Sequence, residues 1–248
     1  MLSNKLTAIL VDDELSQTWI IITSWLVFSI FTAKIVTIQF MIPWSPKFLY
    51  YFTPLIRFSK YLTWRFGRKY QCSDLDLEYL TKVVRPGMIV LSRREFQISN
   101  YFIYGYWTHS AMIMPWGKVI EATTNGVIMK ELKEHIRKAD DIAVLKPRFC
   151  GIQEMEKACC LASETLGIPY SFDFNNSDDS LYCSELVLKA YARTCGWNRN
   201  SPHEPHEFKH LCDGKIVRPS DFYHNHNAWE IVFDWVVIKN LPGKLQYH

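Results

Sequence analysis

No phosphate-binding glycine loop, dinucleotide fingerprint or Gly-x-Ser-x-Gly elbow occurs anywhere in the chain, so nucleotide-dependent chemistry and serine hydrolysis of that design have no anchor in it. Charge of either sign is scarce in excess: Lys plus Arg number 28 against 25 Asp plus Glu, which gives no nucleic-acid footprint. The seven cysteines include no Cys-x-x-Cys pair and lack the spacing of a disulfide framework, and an odd count suits a reducing compartment. Internal repeats are absent as well.

What is present is apolar and aromatic. At 248 residues and 48% hydrophobic the chain has enough material for one large domain, or for a medium domain plus an extra segment. The aromatic residues cluster in the first seventy positions and around the candidate site, which favours the second arrangement. From Trp19 to Ile42 the only charged residue is Lys34, and the stretch is long enough to span a bilayer. It is no secretory signal, because Asp12, Asp13 and Glu14 precede it and no small-residue cleavage site follows. A buried helix is the alternative. From Lys47 to Lys69 every charged residue is basic (Lys47, Arg57, Lys60, Arg65, Arg68, Lys69), interleaved with Trp, Tyr and Phe, a pattern suited to an anionic membrane surface. The expected division is therefore an apolar segment over 1–46, a basic-aromatic segment over 47–82 and a folded domain over 83–248. If 19–42 spans, the positive-inside bias places the domain on the cytoplasmic side; if it packs instead, the protein is cytoplasmic and soluble.

The third region reads as α+β. Pro86-Gly87 turns into an apolar strand at Met88–Leu91, Trp107–Met114 and Val119–Thr123 flank Pro115-Trp116-Gly117-Lys118 as a hairpin, and Asp141–Lys146 and Trp229–Ile238 are further strands. Ile152, Met155, Cys159, Ala162 and Leu166 recur at steps of three and four before Gly167, and a second helix runs from Cys183 to a stop at Gly196. The polar stretch between Tyr170 and Tyr182 is a loop.

A cysteine at the start of a helix is a candidate nucleophile, since the unpaired N–H groups there favour the thiolate and can bind an oxyanion. Cys183 occupies that position, and it needs a base with a partner to orient it. The segments Arg85-Pro86-Gly87-Met88-Ile89-Val90-Leu91, Thr108-His109-Ser110-Ala111-Met112-Ile113, Val119-Ile120-Glu121-Ala122, Gly167-Ile168-Pro169-Tyr170 and Tyr182-Cys183-Ser184-Glu185-Leu186-Val187 occur in this order. Over about residues 84–240 they resemble the YiiX/YebB-like branch of the NlpC-type cysteine hydrolases. The resemblance implies a circularly permuted papain-like fold, an antiparallel sheet packed on helices, in which the histidine strand precedes the cysteine helix. It also implies Cys183 as nucleophile, His109 as general base and Glu121 as the orienting third member, at the position where the lecithin:retinol acyltransferase relatives place a second histidine. A carboxylate there fixes the tautomer and stabilises the imidazolium equally well. Tyr170 and Tyr182 are candidate pocket residues.

Register poses a geometric condition. A simple two-residue turn within Pro115 to Lys118 would set His109 opposite Thr124 and leave Glu121 on the other face, so a bulge or a longer turn has to intervene, or Thr123 or Thr124 shares the role.

The expected chemistry is thiol-dependent hydrolysis or acyl transfer through a thioester on an amide or ester bond, with a membrane lipid or lipoamide as the favoured substrate. A peptidase or amidase on cell-wall-like or isopeptide bonds is the alternative, and a catalytically idle membrane-attached binding module a third. No cofactor or nucleic acid is expected. Metal is not expected either: His203, His206, His210, Cys212, His224 and His226 are dense, but they match no zinc spacing and lie among prolines.

Overall fold

Strand β1 (Ile89–Arg93) is apolar on both faces because it lies in the middle of a sheet covered on both sides. The computed structural model describes residues 74–95, 103–174, 176–197 and 205–240. The apolar stretch 19–42, the basic segment 47–69, Cys72 and His203 fall outside them. Among the described residues, no helix is long and apolar enough to cross a membrane.

Six strands form one sheet in the order β4-β3-β2-β1-β5-β6: β2 (His109–Met114), β3 (Lys118–Thr123), β4 (Gly126–Glu131), β5 (Asp141–Pro147) and β6 (Trp229–Asp234) join β1, and every pairing is antiparallel. Leu77 and Leu80 of helix α1 (Asp74–Val83), and Leu132 and Ile136 of α2 (Leu132–Lys138), share a buried cluster with Val90, Ala111, Ile113, Val119 and Val144 on one face. The other face carries Ile89, Leu91, Met112, Ile120 and Leu145, which pack with α3 (Ile152–Ser163) and α4 (Cys183–Cys195). The architecture is the expected α+β one, an antiparallel sheet packed on helices, with the strand of His109 preceding the helix of Cys183.

Gly87 ties the first strand to the helices. Its φ is +86°, and a Cβ there would stand 2.5 Å from Met155 Cβ, so only glycine lets the chain turn into β1 this close to α3. Its carbonyl accepts a hydrogen bond from the Tyr191 hydroxyl of α4.

The β2–β3 turn has three residues. Trp116 (φ 58°) and Gly117 (φ 68°) both take left-handed backbone, and the ladder resumes at Met114↔Lys118, Ile113↔Val119 and Met112↔Ile120. Compared with a two-residue turn, the register moves by one, and one residue exchanges the faces of a strand. Continued, this register sets Glu121 opposite Ala111, on the face that His109 also occupies two residues away. The longer turn thus meets the condition raised by the sequence.

Two stretches differ from expectation. The last strand stops at Asp234, whose Oδ1 accepts the N–H of Val237 at 3.2 Å, and helix α7 (Trp235–Asn240) follows; a side-chain acceptor three residues ahead favours helix over further strand. The proline- and histidine-rich stretch expected as loop contains helices α5 (His206–Cys212) and α6 (Pro219–His224). Pro219 opens its helix because proline at the first helical position forfeits only an N–H that has no intrahelical acceptor.

Candidate functional site

Cys183 is the first residue of α4, following Tyr182, whose carbonyl accepts the first intrahelical bond from Leu186 N–H at 3.0 Å. The N–H groups of the first turn have no acceptor within the helix, so their partial positive charge falls on the Cys183 side chain. The thiol is 4% exposed, and burial opposes its ionisation. Hydrogen bonding and charge from His109, with further bonds to the backbone and side chain of Ser110, outweigh that burial and hold the thiol below its ordinary range. Elsewhere burial acts with little opposition and pushes the thiols of Cys150 and Cys159 up to about 12. A depressed thiol among raised ones is the pattern expected of a reactive cysteine.

His109 and Ser110 open β2 and, as neighbours in a strand, project to opposite faces. Ser110 faces α4, where its hydroxyl stands 3.5 Å from that of Ser184. His109 faces Glu121, whose Oε2 lies 2.8 Å from its Nε2. Because His109 begins the strand, its ring also reaches the thiol, and Nδ1 is the nitrogen left for that contact. Burial drives the ring toward neutrality, but the bonds to Cys183 and Glu121 and the charge of Glu121 prevail and lift its pKa to about 9. Each group thus favours the charged form of the other. The ring remains 28% exposed, so the pair is open to solvent on one side.

Glu121 is buried, and burial alone would raise its pKa. Bonds from His109 and His135, together with their charges, hold it well below the usual carboxylate range. His135, on α2, places Nδ1 3.0 Å from the same Oε2, and Lys130, on β4, places its ammonium 2.5 Å from Oε1. The two imidazoles lie nearly parallel, with centroids 5.9 Å apart. Sequence reasoning missed both His135 and Lys130. The family resemblance signalled the pairing of His109 with Glu121, whereas the stretch after Thr123 that carries Lys130 and His135 had no assignment at all.

Two imidazoles and a carboxylate also make a donor set for a borderline divalent metal, and His109, Glu121 and His135 each offer an atom within 4.8 Å of the others. As arranged, both ring nitrogens bond a single carboxylate oxygen while Lys130 occupies the other. An ion there would take the place of the two ring protons that face Oε2 and stand beside the Lys130 ammonium; as arranged, the residues form a hydrogen-bonded relay. The grouping of histidine with carboxylate thus arises in the sheet and α2, away from the His-rich stretch weighed from the sequence. There, the His206 and His210 rings lie with centroids 3.9 Å apart, tilted at 58° to each other.

Tyr170 and Tyr182 are both brought near Cys183. Tyr182 is 2% exposed, its ring lies 5.2 Å from Phe174, and its hydroxyl accepts the N–H of Val217 at 3.2 Å. Tyr170 is bridged through its backbone to Leu181 and packs against Phe172 and Phe174. Burial first, and then the nearby Cys183, raise its phenol well above the ordinary value.

The chain is similar to known proteins. Over 57 residues, 23% of this chain and 28% of the relative, the sequence is 37% identical to the uncharacterized protein YiiX of Escherichia coli strain K12, so the match spans little more than a quarter of that relative. The crystal structure of the metalloprotein YiiX from Escherichia coli O157:H7 is similar with TM-score 0.41 and 21% identity, covering 64% of this chain and 94% of that one. Residues 83–233, more than half of the chain and reaching from β1 into β6, match the permuted papain-like amidase enzymes of the YaeF/YiiX, C92 family, and the chain belongs to that family.

Proposed function

We propose that this chain is a cysteine amidase in which Cys183 is the nucleophile, His109 the general acid and base, and Glu121 the residue that orients His109. The observation that carries this reading is the single imidazole between a helix-initial thiol and a buried carboxylate, with the thiol lowered and the imidazole raised in pKa.

The thiolate of Cys183 adds to the carbonyl carbon of an amide, and the oxygen takes up the electron pair under the N–H groups that open α4. Collapse of this intermediate breaks the C–N bond, and His109 Nδ1 passes its proton to the departing amine. The acyl group remains as a thioester on Cys183. His109, now neutral, takes a proton from water, hydroxide attacks the thioester, and the carboxylic acid leaves as the thiolate regains its proton donor. Throughout, Glu121 accepts the Nε2–H of His109, which keeps Nδ1 turned to the sulfur. The test is hydrolysis of a fluorogenic amide panel together with mass mapping of an acyl probe. Label on Cys183 and loss of turnover in Cys183→Ala are expected, and turnover retained in that variant would sink the mechanism.

A lipid-linked amide or ester, with an alcohol or amine replacing water as acceptor, is the second reading. It is favoured by the apolar run Trp19 to Ile42 and by the uniformly basic segment from Lys47 to Lys69, which would hold the thiol beside acyl chains.

A further inference from the structure

Glu121 is gripped from three sides. Its Oε2 receives His109 Nε2 at 2.8 Å and His135 Nδ1 at 3.0 Å, and its Oε1 receives Lys130 at 2.5 Å. An ionised carboxylate only accepts hydrogen bonds, so each ring nitrogen that faces it carries a proton. For His135 this settles the tautomer as Nδ1–H. Its Nε2 then bears a lone pair, and that atom is buried with no hydrogen-bond partner. The opposite tautomer would bury an unpaired N–H and turn a lone pair toward a carboxylate, which is worse on both counts. The groups that face His135 are Glu121, Lys130 and His109, and burial, the largest influence, keeps the ring neutral, with a pKa near 4.

We infer that His135 is a positioning residue of the thiol site: a neutral donor that holds the Glu121 carboxylate against His109 and away from Lys130. Without it Oε2 has a single partner, and the carboxylate swings toward the ammonium already seated on Oε1. His109 then loses the acceptor that turns Nδ1 to the sulfur, and the thiolate–imidazolium pair weakens from both ends. The role is distinct from that of Glu121, because His135 is 1% exposed and acts only through the carboxylate. It also explains why a buried imidazole is tolerated at the centre of α2 with half of its polar atoms unpaired.

The inference rests on the amidase reading, and the experiment separates the two. In the full-length protein, His135→Leu removes the donor, whereas His135→Asn returns an amide N–H near the place of Nδ1. His135→Gln serves as a second loss variant, its donor set one carbon too far. Two quantities are measured: amide hydrolysis, as kcat and KM separately, and the rate of Cys183 alkylation by iodoacetamide from pH 5 to pH 10. Leu and Gln are expected to lower kcat on the order of ten- to a hundredfold, the range that outer partners of a functional histidine command, with KM unchanged. They should also move the acid limb of the alkylation profile up and the alkaline limb of turnover down, while Asn restores both. A purely structural role would leave the profile in place. Equal profiles for Leu, Gln and wild type would overturn the inference, as would an Asn variant no better than Leu. A stoichiometric metal in the wild type, lost in Leu and Asn alike, would also overturn it, because His135 would then be a ligand. If Cys183→Ala still turns over substrate, it is the amidase reading that has failed.

Discussion

Glu121 stands 2.8 Å from His109 because Met114, not Pro115, pairs with Lys118 across the β2–β3 turn. Trp116 is the middle residue of that turn. It is 90% exposed and sits at φ 58°, where a side chain strains the backbone and contributes no burial. Deleting Trp116 leaves Pro115 and Gly117 between the same Met114↔Lys118 pair, so Glu121 should stay on the face of His109 and turnover should survive; stability should fall, because the fixed φ of Pro115 cannot take the left-handed backbone of a two-residue hairpin turn. Trp116→Gly should keep full activity and raise stability by about 0.5–1 kcal/mol. Thermal melts and amide hydrolysis on the two variants check this, and a folded deletion variant without turnover would show that turn length acts on the site other than through register.

The three residues named as chemical participants should not lose activity equally. Cys183→Ala and His109→Ala are expected to bring turnover to background with the fold intact by circular dichroism. Glu121→Ala should retain more, since its role is to orient and polarise. Its loss is bounded by about 10⁴, the effect of disabling the equivalent carboxylate in a serine triad. Steady-state hydrolysis ranks them, and a Glu121 variant as dead as Cys183→Ala would assign the carboxylate a more direct part.

Alkylation of Cys183 should rise along an acid limb and turnover should fall along an alkaline one, and both limbs belong to the thiol–imidazole pair jointly. Reactivity rises as pH climbs through the lowered thiol value and proton transfer to His109 becomes complete. Turnover falls again as His109 loses its proton near pH 9, because no acid then remains for the leaving amine. The raised His109 value also stabilises the fold fully below its unfolded value of about 6.5, and that contribution disappears as pH passes about 9. Pre-steady-state alkylation and turnover against pH measure both limbs. A thiol titrating alone near 8.5 would mean that the pair does not form.

His135 works in the opposite sense. Its folded value near 4 lies below the unfolded value of about 6.5, so the unfolded chain binds the extra proton between these limits. Stability should therefore be full above about pH 6.5 and decline as pH falls toward 4, by on the order of 3 kcal/mol in all. Urea midpoints at pH 7 and pH 5 give the decline, and His135→Asn should flatten it. An unchanged slope in that variant would place the acid sensitivity elsewhere.

Membrane attachment is a separate expectation, drawn from residues 19–42 and 47–69. The full chain should sediment with membranes and resist high-salt extraction, while a peptide covering 47–69 should bind anionic vesicles in a manner that salt abolishes, because exposed charge attraction is screened. A full chain that remains monomeric without detergent would remove the support for a lipid-linked substrate and leave soluble amides and peptides.

Local chemistry wrote much of this protein into its sequence. The apolar run into β1 after Pro86-Gly87, the three-and-four spacing before Gly167, and a cysteine placed ahead of a helical run that closes at Gly196 each follow from the preferences of neighbouring residues. The order of His109, Glu121 and Cys183 was therefore open to reading. Local preference also made the Pro219 stretch look like loop, although proline starts a helix as readily as it ends one. Tertiary structure alone decided what meets Glu121. Its face depends on a one-residue difference in register, and its partners His135 and Lys130 arrive from α2 and β4, elements whose side chains converge only once β4 has paired with β3 and α2 has packed back over the sheet. A hydrogen-bonded relay is a property of distances across strands, and those distances exist only after register and packing are complete.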